Sequence, residues 1–273
     1  MDIGAIDYYA NFGNSFIHRL GPGIKIIFVI SIIASIVLTK SLIILCSIYL
    51  FLLAFIVVSK VPALKVILLA AYPAIFAVIF AFASWNGNWA FTLLIILKAL
   101  SASLCMVMLI ITTSYPKVFS SLRPIIPEVL FDALLLTYRS VFLLLELLSN
   151  LISALKVRGG FSNKNYLKRL KNFSSGLGFL VIRGFDLSHN YYGILNIRGY
   201  SGNFRVLSAR GNEKYSDYMF ILLGFCTLVL TVYCEEFDNK VIAQYFLYVS
   251  IVFLVLVILK SIVYKLMRGT ASG

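Results

Sequence analysis

Long apolar runs, separated by short polar connections, dominate the chain from residue 24 to residue 111 and return near its end. A helix needs about 20 predominantly apolar residues to cross a bilayer, so each run is predicted to be a membrane helix. The runs are Ile24–Leu38, Leu42–Val58, Val66–Ala83, Phe91–Ile111, Tyr218–Tyr233 and Tyr245–Ile262. This pattern predicts an all-α polytopic membrane protein with about six transmembrane helices and additional amphipathic cytoplasmic helices.

The composition excludes most other protein classes. Of the 273 residues, 61% are hydrophobic and 13% are charged, whereas a soluble domain averages about 25% charged residues. A soluble enzyme, a disordered chain, a disulfide scaffold and a fibrous repeat are therefore excluded. The N-terminal segment has no basic stretch followed by an apolar one, so we expect no cleavable signal peptide and a first apolar run that remains as a span.

The distribution of charge predicts the orientation in the membrane. Lys and Arg total 24 against 11 Asp and Glu, a net charge of +13. In a membrane protein, basic cytoplasmic loops and anionic lipid explain this excess without nucleic acid. The neutral loop at 84–90 and the acidic loop around Glu235 fall opposite the basic loops, so both termini are predicted to be cytoplasmic. Lys40 falls on the wrong side, and Lys98 lies inside a predicted span without an assigned partner.

A basic region divides the chain into three predicted parts, namely membrane helices at 1–113, a cytoplasmic module at 114–217 and membrane helices at 218–273. The module contains 14 of the 24 basic residues. Its apolar stretch Phe131–Leu155 is predicted to lie at the inner membrane interface, with a crossing of the bilayer left open. Phe179–Ile197 is predicted to form an amphipathic surface helix. The predicted interruptions are Gly159-Gly160, Ser162-Asn163 and Ser174–Gly178.

Arg-Gly pairs are over-represented in the chain. They occur five times, whereas composition alone predicts about 0.6 pairs. An Arg near a helix end, followed by a capping Gly, explains any single pair. Two pairs share a longer pattern, 40 residues apart. Val157-Arg158-Gly159 (the first Arg-Gly end) and Ile197-Arg198-Gly199 (the second Arg-Gly end) each close an apolar helical segment.

With these two ends the chain resembles the T component of energy-coupling factor (ECF) transporters, the EcfT/CbiQ family. The hallmark of that family is a pair of Ala-Arg-Gly motifs, each of which ends a cytoplasmic coupling helix. Here Val157 and Ile197 replace the alanines. The segments at 18–25 (HRLGPGIK) and 134–139 (LLLTYR) are also similar to the family's sequences. Tyr200, directly after the second Arg-Gly end, and Ile6-Asp7-Tyr8 favour the cobalt-type CbiQ branch.

The resemblance implies a non-catalytic membrane subunit of an ABC-type importer in a prokaryotic cell membrane. Arg158, Gly159, Arg198 and Gly199 would couple to two CbiO-like ABC ATPase subunits, with each arginine facing an acidic group in a groove. The membrane helices would hold a substrate-binding subunit, either CbiM/CbiN-like or an S component. The implied cargo is cobalt ion, and nickel or a vitamin such as biotin is the alternative. No G-x-x-x-x-G-K-[ST] loop occurs, and no cofactor is implied.

The remaining polar residues do not assemble a reactive site by spacing. His18 and His189 are the only histidines and the four cysteines are scattered, so no metal site is predicted. Asp132 and Glu146 are 14 residues apart, about 21 Å along a helix, and are expected to pair with Arg139 or water. Two alternative functions fit less of the sequence. A lipid-handling membrane enzyme would need paired acids such as D-x-x-x-D, and a lipid-binding scaffold leaves the repeated Arg-Gly pattern unexplained.

Overall fold

The computed structural model describes residues 10–11, 13, 15, 17–59, 63–85, 87–160, 166–200, 215–237 and 240–270. Within these residues the chain forms α-helices and no strand, which confirms the predicted fold class. A 3-10 turn at Ile17–Arg19 comes first. The helices are α1 (Pro22–Leu38), α2 (Leu42–Val58), α3 (Ala63–Ala83), α4 (Trp89–Thr112), α5 (Tyr115–Leu122), α6 (Glu128–Val157), α7 (Tyr166–Ile197), α8 (Tyr215–Glu236) and α9 (Lys240–Thr270).

Each predicted apolar run lies inside one helix. Five described helices are long and apolar enough to cross a membrane, and these segments are Val66–Ala83, Trp89–Thr112, Glu128–Val157, Asp217–Glu236 and Val241–Lys260. The helices α1 and α2 are equally apolar but have 17 residues each. Helix α6 is among the five, so its length and composition fit a bilayer crossing as well as the interfacial position predicted for it. The chain is a polytopic membrane protein.

The chain clusters into two compact units, one of Met1–Val118 with Ala209–Gly273 and one of Phe119–Ser208. In the first unit, α1 packs against α8, α2 against α9, and α3 against α4. The rings of Phe28, Phe55 and Phe220 meet in its core, with 4.3 Å between the ring centroids of Phe28 and Phe220. A Cβ atom at Gly224 would lie 2.9 Å from Cδ2 of Phe28. The glycine therefore permits the close approach of α8 to α1.

Lysine side chains form polar contacts at both ends of α1, where each donates to a carbonyl group in the last turn of a helix, once of α4 and once of α1 itself. Near its start, the buried Lys25 Nζ donates to the carbonyl oxygen of Thr112 at 2.8 Å and to Oγ1 of Thr113 at 3.2 Å. Near its end, Lys98 Nζ donates to the carbonyl oxygen of Val37 at 3.0 Å. Carbonyl groups in the last turn of a helix lack partners within it, so Lys98, which the sequence left without a partner, supplies one to α1.

An acidic side chain caps the turn between α1 and α2. Glu235 Oε1 accepts hydrogen bonds from the backbone nitrogen of Lys40 at 2.6 Å and from that of Ser41 at 2.9 Å. Ser41 is the N-cap residue of α2, and its own side chain makes no capping hydrogen bond. The carboxylate of Glu235 therefore accepts the N-cap N–H of α2, as the glutamate of a capping box does from within its own helix, and places negative charge at the helix start.

The second unit contains α6 and α7, which run antiparallel. Leu151 contacts the backbone at Gly176, Leu144 lies opposite Gly184, and the guanidinium of Arg139 lies over the ring of Tyr191, 5.3 Å from its centroid. In each of these pairs the residue number falls along α6 as it rises along α7. The two helices are therefore side by side over most of their lengths.

The predicted interruption at Ser174–Gly178 is wrong, because α7 is continuous from Tyr166 to Ile197. Glycine inside a helix costs about 1 kcal/mol relative to alanine, which is why the sequence suggested a break. In the structure, a Cβ atom at Gly176 would lie 2.9 Å from Cδ2 of Leu151. The glycine makes room for a leucine of the neighbouring helix. The predicted break at Ser162-Asn163 lies outside the described residues.

Candidate functional site

The first Arg-Gly end is a regular helix C-cap. Arg158 follows the last helical residue, Val157, and its backbone nitrogen donates to the carbonyl oxygen of Ala154 at 3.0 Å. Gly159 has a φ of 67°, in the left-handed region that glycine adopts without steric cost. Its nitrogen donates to the carbonyl oxygen of Lys156 at 3.1 Å. The nitrogen of Gly160 donates to that of Leu155 at 2.8 Å. This pair of bonds is the Schellman arrangement.

The second Arg-Gly end repeats this geometry bond for bond. The nitrogen of Arg198 donates to the carbonyl oxygen of Ile194 at 3.1 Å. Gly199 has a φ of 73° and donates to the carbonyl oxygen of Asn196 at 3.0 Å. Tyr200 closes the cap by donating its backbone N–H to the carbonyl oxygen of Leu195 at 3.0 Å. Helix capping thus accounts for both glycines, and it places both arginines at the same position of the same motif.

The two ends expose the same kinds of side chain. Arg158 and Arg198 are exposed, and neither guanidinium group forms a hydrogen bond or ion pair with another described residue. The residue before each arginine is a β-branched aliphatic one, with Val157 exposed to 90% and Ile197 to 89%. These are the most exposed large apolar side chains of the described chain. Each end therefore presents a guanidinium group beside a bare aliphatic side chain.

The two Arg-Gly ends lie at opposite ends of the helix pair. Beside the first, Asn172 Nδ2 donates to the carbonyl oxygen of Gly160 at 3.3 Å. Beside the second, the Tyr200 hydroxyl donates to Oδ2 of Asp132 at 2.7 Å, so this end lies next to the start of α6. From Asp132 to Arg158 is 158 − 132 = 26 residues, about 39 Å along an α-helix. The two arginines are thus roughly 40 Å apart.

The contact between Tyr200 and Asp132 is the site feature that the sequence did not predict. Asp132 is buried, with 4% of its surface exposed, and it accepts a hydrogen bond from Tyr200, whereas Arg139, one of the two partners expected for it besides water, lies over Tyr191. The pKa of Tyr200 is raised, chiefly by the hydrogen bond to Asp132 and further by desolvation and by the carboxylate charge. The two residues are 68 positions apart. Only the antiparallel register of α6 and α7 brings them together.

No metal-binding cluster is found where the structure describes the chain, since no three side chains of His, Cys, Asp and Glu there are close enough to hold an ion. Nδ1 of His18 is hydrogen-bonded to Oγ of Ser15 at 2.6 Å. The acidic residue nearest to Arg183 is Asp186, 3.8 Å away across an exposed ion pair.

A family model described as cobalt transport protein, CbiQ, matches residues 13–207, which is more than two thirds of the chain and includes both Arg-Gly ends. The chain belongs to the CbiQ family. The description of this family, cobalt transport, is consistent with the apolar helices of the chain. The chain is similar to a protein of Methanocaldococcus jannaschii named uncharacterized protein MJ1571, with 28% identity over 138 residues. That match covers 50% of this chain and 45% of the relative, so the chain spans less than half of the relative's length.

Proposed function

We propose that this chain is the T component of an ECF importer. In this role it binds two ABC ATPase subunits through its two Arg-Gly ends and transmits their ATP-driven movement to a membrane subunit that binds the substrate. The observation that carries the proposal is the duplication of one exposed motif, Val/Ile-Arg-Gly, with the same capping bonds at both ends of the antiparallel pair α6–α7. A separation of roughly 40 Å allows each end to reach a different subunit.

The arginines are suited to anchoring a protein partner. A guanidinium group binds a carboxylate through two parallel hydrogen bonds, and Arg158 and Arg198 are free of such bonds among the described residues. Once a partner covers such a pair, removal of one member costs several kcal/mol because a charge is left buried and unpaired. An acidic groove on each ATPase is the complementary surface.

The helix pair is suited to transmitting movement. Its two helices contact one another along their lengths, and hydrogen bonds at Gly160 and at Tyr200 tie each Arg-Gly end to the adjacent helix. A displacement imposed on one end is therefore passed to the other helix and not absorbed by a loose terminus. The basic character of the module favours the cytoplasmic side for both ends by the positive-inside rule, so the proposal requires α6 to lie at the inner interface and not across the bilayer. The cobalt cargo follows the description of the family.

The test is co-purification of the tagged chain with the ATPase and membrane subunits co-expressed from neighbouring genes. The double variant Arg158→Glu/Arg198→Glu should lose both ATPases while it still inserts into the membrane. The control is Arg183→Glu, the same change at an exposed arginine in the middle of α7. It should retain stoichiometric assembly and ATP-dependent cobalt uptake in proteoliposomes.

Lysine variants separate a specific site from general basic attraction. Arg158→Lys/Arg198→Lys should also weaken assembly strongly, because an ammonium group cannot reproduce the bidentate geometry. Full assembly of the Arg158→Glu/Arg198→Glu variant would refute the coupling role. A lipid-binding scaffold would be supported instead if wild type recovers no ATPase and the Arg158→Glu/Arg198→Glu variant binds anionic vesicles less than wild type does.

A further inference from the structure

The aliphatic residues that precede the two arginines have an exposure that the fold does not explain. Single exposed apolar side chains are ordinary, but Val157 and Ile197 are the two largest exposures among the large apolar residues of the described chain, at 90% and 89%. They also occupy the same position of the same motif. Two unrelated surface residues would not be expected to share both this extreme exposure and the same position in a repeated motif.

A comparison of the two ends position by position isolates what they share. The exposed position before the aliphatic residue is Lys156 in one and Asn196 in the other, and the cap is completed by Gly160 in one and Tyr200 in the other. Leu155 and Leu195 occupy a further shared position, but both are half-buried, and their carbonyl oxygens accept cap hydrogen bonds. Apart from the Arg-Gly pair, the exposed feature common to both ends is therefore a β-branched aliphatic side chain. Valine and isoleucine differ there by a single methylene group.

We infer that Val157 and Ile197 are recognition residues, each of which enters an apolar socket on an ATPase subunit beside the carboxylate that binds the neighbouring arginine. This inference rests on the proposed function and names the chemistry of the partner surface. Arginine supplies charge complementarity, and the adjacent aliphatic group requires a dry pocket shaped for a branched side chain. A socket of this kind excludes water from the ion pair, which strengthens it.

The expected losses follow from the groups removed. Burial of one methylene equivalent contributes about 0.8 kcal/mol, and 1.4 kcal/mol is a factor of ten in affinity. Val157→Ala removes two carbon atoms and should weaken the affinity of the chain for the ATPases roughly tenfold. Ile197→Ala removes three and should weaken it several tens of times. Val157→Thr keeps the branched shape but buries a hydroxyl group, and should also weaken binding.

The experiment measures ATPase binding to the full chain in nanodiscs by biolayer interferometry. The matched controls are Val181→Ala and Ile182→Ala, the same substitutions at exposed positions in the middle of α7, with exposures of 59% and 62%. The controls should bind as wild type. Hydrogen exchange at the two caps confirms that each variant keeps its helix ends.

The outcomes separate this inference from the proposed function. If the Arg158→Glu/Arg198→Glu variant loses the ATPases but Val157→Ala and Ile197→Ala bind as tightly as their controls, the sockets do not exist and the coupling role stands. If the arginine variant also binds normally, both ideas fail. If the aliphatic variants lower binding to anionic vesicles and leave ATPase affinity unchanged, these residues contact lipid and the inference is overturned.

Discussion

Two glycines of α7 allow one chemical change to be tested in opposite structural settings. Gly199 caps the helix with a φ of 73°, and Gly193, six residues earlier, lies inside it with helical backbone angles. A Cβ atom added at either position meets nothing within 4 Å. Substitution by alanine therefore changes backbone energetics alone, without a steric term at either site.

The magnitudes follow from the backbone. The left-handed conformation costs an L-residue about 1–2 kcal/mol, so Gly199→Ala should destabilise the second Arg-Gly end by that amount. Alanine is about 1 kcal/mol better than glycine inside a helix, so Gly193→Ala should stabilise the same segment. The two variants should differ by roughly 2–3 kcal/mol, with opposite signs relative to wild type.

Hydrogen exchange measured by mass spectrometry is the suitable assay, because the effect is local. The amides of Gly199 and Tyr200 donate the two cap bonds, to Asn196 and Leu195, and they exchange when the cap opens. A destabilisation of 1–2 kcal/mol corresponds to about 5–30-fold faster opening. The peptide covering the end of α7 should exchange that much faster in Gly199→Ala and more slowly in Gly193→Ala.

The reasoning is refuted if the two variants shift exchange in the same direction. Equal acceleration would mean that the helix end is set by contacts rather than by the backbone angle. Equal protection would mean that Gly199 does not hold a left-handed conformation in the membrane-bound protein. An unchanged rate for Gly199→Ala alone would equally contradict the capping role assigned to that glycine.

Three further changes test other contacts. Gly224→Val should clash with the ring of Phe28, cost about 1–3 kcal/mol and lower the Tm in detergent. Glu235→Ala leaves the two backbone N–H groups of the α1–α2 turn without their acceptor and should cost about 1 kcal/mol of thermal stability, whereas Glu235→Gln retains an acceptor oxygen and most of that stability. Tyr200→Phe removes the hydrogen bond to Asp132 and should accelerate exchange at the end of α7. Because the pKa of Tyr200 is raised above its ordinary 10.0, this difference should persist below about pH 10 and vanish as pH rises through the raised value.

The apolar pattern predicted the helices well, because each apolar run required a helix to satisfy its backbone groups in lipid. The error at Ser174–Gly178 has a physical cause. The rule that glycines break helices considers only the local chain, whereas Gly176 is retained inside α7 by the packing of Leu151 from another helix. Tertiary contact outweighs a local preference of about 1 kcal/mol.

The two Arg-Gly ends were visible in the sequence because a helix cap is a local motif, and its residues are neighbours in the chain. The contact between Tyr200 and Asp132 was not visible, since it depends on the register of two antiparallel helices. The exposure of Val157 and Ile197 was also hidden. From sequence alone, an aliphatic residue at the end of an apolar helical segment is assigned to the buried face. Only the surrounding structure shows that no other part of the described chain covers Val157 or Ile197.

The two ends are alike in what they present and different in what holds them. A valine or isoleucine, an arginine and a left-handed glycine recur at each end, whereas the supporting contact is an amide of Asn172 at one and a carboxylate of Asp132 at the other. Stopping a helix requires the left-handed glycine and the cap bonds, but it does not require the exposed arginine or the exposed aliphatic residue before it. The same exposed side chains thus recur on the same cap at two ends that are supported differently, which is what we expect if two similar partner surfaces bind this chain.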